Sequence, residues 1–164
     1  MLDRLPTRNP TLKAQVVRAI AKRSFCVLAT SSATNHPHVA AVLYAPVGTT
    51  LYVNTLRTSR KARNVAQNPN VAVCIPIRRL PVGPPSSVLF QATAVILAND
   101  DPTIADLVRG GKLKSITSHG ELDEPDGCFI RITPTGRAHT YGLGMSLWSL
   151  MRNPLDAGGT VELR

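Results

Sequence analysis

The sequence reads as mostly β: an antiparallel barrel of six or seven strands with accessory helices packed outside it. Two observations predict this, and the composition says what fills the core. Apolar runs of strand length follow one another closely along the chain. One short helical stretch falls between the third and fourth runs, whereas a doubly wound parallel sheet needs a helix between most strands. Aromatic residues are only 4% of a chain that is 43% apolar, so Val, Ala, Leu and Ile must fill the core.

The elements follow in order. "NPTLKAQVVRAIAKRS" predicts a helix, with Pro10 in the first turn and Leu12, Val16, Ala19 and Ile20 on one face. "SFCVLATSS" predicts the first strand and "ATNHP" a turn. "HVAAVLYAPV" is read as one second strand, ended by a turn at Gly48, and "TTLYVNT" as the third. Residues 58–68 form a short helix, capped by Thr58 or Ser59 and stopped by "QNPN". "NVAVCIPI" is the fourth strand, "RRLPVGPPSS" a stiff loop and "VLFQATAVILAND" the long fifth strand. "DPTIADLVRGGKL" has an Asp-Pro start and a Gly-Gly stop, so it is a helix. After the acidic loop "TSHGELDEPDG", "CFIRITPTGRAHTYGL" reads as a hairpin: a sixth strand, a turn at Pro134–Gly136 and a seventh strand. The tail, residues 140–164, reads equally as a short helix or as coil.

At 164 residues a single domain over 1–164 is expected. The net charge is +9, unevenly spread. Residues 4–99 hold 12 Lys or Arg and no acid, while residues 100–164 hold 7 cations and 9 acids. Paired-carboxylate chemistry and a carboxylate metal site are therefore excluded from the first 99 residues, which suit an anionic partner. Cys26, Cys74 and Cys128 are far apart and without a C-x-x-C pattern, as expected of buried free thiols in a reducing cytoplasm. Cations recur through residues 1–24, so a secretory leader is not expected there. No run approaches the ~20 apolar residues of a membrane span, so no membrane partner is expected.

Residues 55–64, "TLRTSRKARN", carry the sharpest signal. Arg57, Arg60, Lys61 and Arg63 lie at a helix start, where the backbone dipole disfavours cations by up to about 1 kcal/mol each. No acid stands within the stretch, and Thr55, Thr58 and Ser59 place hydroxyls beside the cations. A solvated surface is the plain alternative. A bound phosphate would reverse the dipole term, since it accepts from free N–H groups, hydroxyls and charged donors together.

The run from "FCVLATSS" to "NPNVAV" also resembles the flavin-binding split-barrel family of pyridoxamine-phosphate-oxidase-like proteins. "LAT" at 28–30, "PHV" at 37–39, "SRKARN" at 59–64, "NPNVAV" at 68–73 and "VLFQATAVIL" at 88–97 carry the resemblance, which covers residues 24–98. It implies a homodimer of split barrels with a cofactor at each end of the interface. It further implies that Ser59, Arg60 and Lys61 hold the cofactor phosphate, and that Asn54 and Thr55 lie beside the phosphate and ribityl chain. Val42 and Leu43 then belong to the strand whose backbone faces the isoalloxazine edge, and Gln91 reaches the cofactor from the fifth strand. The implied cofactor is FMN, with the deazaflavin coenzyme F-420 as the alternative; the Lys61-x-x-Asn64 spacing is compatible with the latter. Position 40 is Ala where pyridoxamine-phosphate oxidases tend to carry Arg, and their C-terminal Arg/His motif is not recognisable, so a vitamin-B6 oxidase is not expected.

The leading reading is a cytoplasmic flavin-dependent oxidoreductase acting on a small organic substrate. A basic nucleic-acid-binding module and a cofactor carrier or haem-binding relative without turnover are the competitors; no nucleic-acid motif and few stacking aromatics weaken the former. No catalytic side chain is singled out. His36 and His38 flank Pro37 without a third metal ligand, so no metal site is expected. His139 and Tyr141 share one strand face and either line a substrate pocket or cover the sheet. Trp148 is read as a core or dimer-interface anchor, or as a lid over the cofactor ring, with Gly142 and Gly144 allowing the segment to bend.

Overall fold

The chain forms eight strands and four helices in a computed structural model that describes residues 10–78 and 84–163. The order is α1 (Pro10–Lys22), β1 (Phe25–Ser31), β2 (Pro37–Leu43), β3 (Ala45–Val47), β4 (Thr50–Leu56), α2 (Arg60–Gln67), β5 (Asn70–Ile77), β6 (Ser86–Ala98), α3 (Pro102–Arg109), β7 (Gly127–Tyr141), α4 (Leu147–Arg152) and β8 (Gly158–Glu162). Short 3-10 turns occupy Lys114–Ile116, Glu121–Asp123 and Pro154–Asp156.

All the pairings are antiparallel, in the spatial order β2-β1-β5-β6-β7-β4-β3, with β8 also on β7. The two ends of that order, β2 and β3, are neighbours in the chain, with only Tyr44 between them. The sheet therefore curls into a half-barrel. Its interior is lined by Cys26, Leu28, Leu51, Val53, Val73, Ile75, Phe90, Ile130 and Ile132, with Val16 and Ile20 of α1 and Val65 of α2 packed into it. A second core lies on the opposite side of β4 and β7, where Tyr52 and Phe129 meet Ile104 of α3, Leu113 and Ile116.

The sequence expectations hold for α1, β1, β4, α2, β5, β6 and α3, to within about two residues at each end. Three readings need correction. The single strand expected over 38–47 is two, broken at Tyr44, because the chain there passes from one edge of the sheet to the other. The hairpin expected over 128–143 is one strand, β7, whose whole length pairs with β6. Its Thr135, Gly136 and Arg137 form a bulge opposite Gln91, just past Pro134, which pairs with Ala92; the Thr135 hydroxyl donates to the Gln91 carbonyl (3.2 Å). Pro and Gly punctuate strands at bulges as well as at turns. The tail holds both the helix α4 and a strand, β8, that its sequence did not announce. Part of the loop expected over 78–87, residues 79–83, lies outside the described residues, and Ser86 and Ser87 already belong to β6. Gly142 has φ +66°, and a Cβ there would meet Leu150 Cδ2 at 2.8 Å, so the bend expected at this position is real.

Tyr44 is fully buried. Its backbone N–H donates to the Ser24 carbonyl (2.8 Å) and its hydroxyl to the Ile20 carbonyl (2.9 Å). That carbonyl lies in the last turn of α1, where no intrahelical donor reaches it. Burial raises the Tyr44 pKa above its ordinary 10.0, with Cys26 adding to the rise and Arg23 opposing it. Burial, then Cys74, pushes Cys26 from 9.0 up to about 12.

Two outcomes are expected. Both groups are neutral acids in the fold and ionise more readily in the unfolded chain, so the folded state binds more protons at alkaline pH. Stability should be level below pH 9 and fall as the pH rises toward 12; urea midpoints that stay flat from pH 8 to 11 would contradict this. Tyr44→Phe should cost about 1–3 kcal/mol, because it orphans the Ile20 carbonyl, and should make the alkaline fall less steep.

Candidate functional site

β4 ends where α2 begins, and the turn between them holds the cation cluster. Ser59 is the cap, not Thr58: it has extended backbone (φ −65°, ψ 147°), and its Oγ accepts from the Ala62 N–H at 3.3 Å. The Thr55 hydroxyl donates to Ser59 Oγ at 3.2 Å, so two of the expected cofactor residues touch. Arg60 and Lys61 follow in the first turn of α2, which contains no acid; Arg60 is exposed and Lys61 half-buried. Their N–H groups have no acceptor within the helix, as at any helix start.

Asn64 anchors this helix. It is buried on the inner side of α2, and its Nδ2 donates to the Thr30 hydroxyl of β1 at 2.9 Å, also buried. The Asn of Lys61-x-x-Asn64 is thus engaged by the barrel wall, which leaves the cofactor-branch reading of that spacing without support from this side chain.

The remaining expected residues are distributed differently. Asn54 alternates with Thr55, so it lies on the other face of β4, paired with Phe129; its Nδ2 is buried and has no hydrogen-bond partner among the described residues. Val42 is buried in the barrel interior, so its backbone is what remains for a ligand. Leu43 is 59% exposed. Among the described residues β2 pairs only with β1, and it approaches β4 across an unpaired seam. Half of the β2 backbone groups therefore point away from the ladder. Gln91 is exposed on the outer face of β6. It lines a groove of about 490 Å³ with Ala72, Cys74, Thr135, Arg137 and His139, none of which belongs to the α2 cluster. Within one chain, Gln91 and the Ser59–Lys61 turn are separate.

Sequence reasoning missed two features. The cation cluster has an acid after all: Asp126, 68 positions from Thr58, accepts from the Thr58 hydroxyl at 2.8 Å and from its N–H at 3.3 Å. The Arg57 N–H donates to the Asp126 carbonyl at 2.9 Å. No local pattern announces a contact of that range. The other is the groove, which depends on the unforeseen β7 bulge. His139 does line it, with Nδ1 3.2 Å from Thr160 Oγ1, and Arg137 Nε donates to Glu162 at 2.7 Å. Tyr141 shares that strand face and is 38% exposed. Trp148 is no core residue, being 68% exposed on α4. His36 Nδ1 lies 2.9 Å from Thr34 Oγ1 within the turn, and no cluster of three or more His, Cys, Asp or Glu suited to a metal occurs among the described residues.

Cys128 lies opposite Thr55 beneath the cluster. Burial raises its pKa above the ordinary value; Arg57 and Lys61 pull it down and Asp126 pushes it up. Burial thus disfavours the thiolate, the form that acts as a nucleophile.

An antiparallel sheet curled into a half-barrel with helices packed against it defines a split barrel. The chain belongs to the pyridoxamine 5'-phosphate oxidase family, whose model matches residues 12–140. Solved structures share the fold. The haem storage protein HutZ of Vibrio cholerae aligns with a TM-score of 0.60 and 20% identity, over 78% of this chain and 90% of its own. An FAD-binding protein from Mesorhizobium loti aligns with a TM-score of 0.60 and 20% identity, over 74% and 88%. A reductase of coenzyme F-420 aligns with a TM-score of 0.51 and 23% identity, over 72% and 92%. No curated protein matches the chain by sequence. No helix among the described residues is long and apolar enough to cross a membrane.

Asn64→Ala should cost about 1–3 kcal/mol, because it leaves a buried Thr30 hydroxyl unpaired; Asn64→Leu combined with Thr30→Val should recover part of that loss. Denaturant melts of Asn64→Leu, Thr30→Val and the double variant would test the linkage, and strictly additive effects would argue against it.

Proposed function

We propose that this protein binds FMN and is an oxidoreductase that passes a hydride between the bound flavin and a small organic substrate. The observation that carries the reading is the start of α2. Arg57, Arg60 and Lys61, the Thr55 and Ser59 hydroxyls and free helix N–H groups fall within seven residues there, with no acid in the first turn. A phosphate monoester fits that donor set.

Bound flavin supplies the hydride chemistry itself. The chain's residues bind, orient and shield it. Ser59, Arg60 and Lys61 would hold the phosphate, with Thr55 beside it and the Asn54 side chain turned to the other face of β4. The backbone of Val42 and Leu43 along the β2 seam would hold the ring edge. No side chain is assigned to proton transfer. The outer face of β1, β2, β5 and β6 leaves Phe25, Val39, Leu43 and Leu89 between 40% and 61% exposed, and a second copy would cover them. Gln91 faces that side, away from its own chain's phosphate turn, so a cofactor role for it calls for a homodimer. Ala40 stands where an oxidase of pyridoxamine phosphate would be expected to carry Arg, which favours another substrate.

Coenzyme F-420 is the second reading. Arg57 and Arg63 are exposed beyond the first-turn pair and suit its additional negative charge. Nucleic acid fits less well, since the cations and hydroxyls gather around one turn rather than along a stripe. Duplex binding at physiological salt should be no tighter than the roughly 10⁻⁴–10⁻⁶ M of nonspecific binders.

Titration with FMN and with F-420, followed by flavin fluorescence, decides between the cofactors. Arg60→Ala with Lys61→Ala should weaken the preferred one by roughly two to four decades, since each charged hydrogen bond is worth about 1.5–3 kcal/mol. Unchanged affinity in the folded double variant would overturn the assignment. Light scattering should give twice the 17.6 kDa chain mass, and a monomer at micromolar concentration would remove the shared site.

A further inference from the structure

The turn that presents the cations is held from outside itself. Residues 57–59 join the end of β4 to the first residue of α2, and Arg57 and Thr58 are exposed. Such a turn has few contacts of its own to fix it. Asp126 supplies three from the start of β7. Its Oδ2 accepts from the Thr58 hydroxyl (2.8 Å) and N–H (3.3 Å), and its carbonyl accepts from the Arg57 N–H (2.9 Å). The next residue, Gly127, pairs with Leu56, so the clasp continues the β4–β7 ladder beyond the strand end. Ser59 follows immediately, and its cap geometry and its bond from Thr55 depend on where the turn leaves it.

We propose that Asp126 is a positioning residue for the anion cradle. It holds the Arg57–Ser59 turn in the form that lets Ser59, Arg60 and Lys61 meet a phosphate. The proposal rests on the reading of the α2 start as a phosphate site. An acid beside a cationic anion site is unfavourable to the ligand on charge alone. Its placement makes sense through geometry, because a turn already ordered loses less entropy when the ligand arrives. Charge and clasp therefore act in opposite directions, which lets substitutions tell them apart. Asp126→Ala removes both the charge and the acceptor. Asp126→Asn removes the charge and keeps an oxygen acceptor for Thr58. Thr58→Ala removes the hydroxyl donor from an exposed position and leaves the carboxylate in place.

The test is an FMN titration of the wild type and the three variants at fixed ionic strength, with thermal melts to confirm folding. Asp126→Ala and Thr58→Ala should bind about ten- to a hundredfold more weakly, the scale of one or two lost hydrogen bonds to a charged group. Asp126→Asn should bind as tightly as the wild type or more tightly. An Asp126→Ala variant that binds as well as or better than the wild type overturns the proposal, since charge alone would then govern. So does failure of Asp126→Asn to restore binding. If the wild type binds neither FMN nor F-420, the phosphate reading fails by itself. Amide hydrogen exchange at Thr58 then decides the clasp: faster exchange in Asp126→Ala supports it, and unchanged protection overturns it.

Discussion

Tyr44 alone separates β2 from β3, and those strands are opposite edges of the same sheet. One residue advances the backbone by about 3.8 Å. The edges must therefore come together, and a seven-strand path with its ends joined has to curl. The buried Tyr44 ring and its bond to the Ile20 carbonyl fix that corner to the last turn of α1. The barrel interior follows, with Val, Ile and Leu from six strands facing inward. So does the seam, since β2 and β4 approach without forming a ladder. A closed barrel would have used those β2 backbone groups; a half-closed one leaves them for something else.

The charge at α2 is an arrangement that folding by itself does not favour. Cations stand at the positive end of the helix dipole, and the first turn holds no acid to offset them. The structure stabilises the helix by other means. Ser59 caps it, and Asn64 ties it to Thr30 through a buried hydrogen bond. Val65 packs into the interior. Local rules broken at one place and compensated nearby are expected at functional or strained positions. Membership in the pyridoxamine 5'-phosphate oxidase family is consistent with that interpretation, although the fold alone accommodates proteins named for haem, FAD and F-420.

The two faces of the sheet differ in how they are covered. Behind β4 and β7, the segment from α3 to Ile116 seals Tyr52 and Phe129. Over β1, β2, β5 and β6 no helix lies on the outer side among the described residues, and apolar side chains remain in view. The groove with Gln91, Arg137 and His139 opens on this side. Trp148, Met151 and Leu155 at the C-terminal end add further exposed apolar area. Patches of this kind mark surfaces that meet something else.

The sequence by itself determined the elements whose signals are local. Alternation gave β1, β4, β5 and β6; the Asp101 cap and following Pro gave the start of α3; and Ser59 with its cations gave α2 and the candidate phosphate turn. It could not decide the role of the Pro134–Gly136 stretch, because such residues serve a turn or mark a bulge and only the continuous β6 partner selects the bulge at residues 135–137. It split Asn54 from Thr55 only through the pleat, which turns neighbours to opposite faces once a sheet exists. It gave Lys61-x-x-Asn64 as a motif, but the partner of Asn64 is on a strand 34 positions away. Asp126 was invisible for the same reason: a contact across 68 positions leaves no periodic trace, and it arises only when β4 and β7 lie side by side.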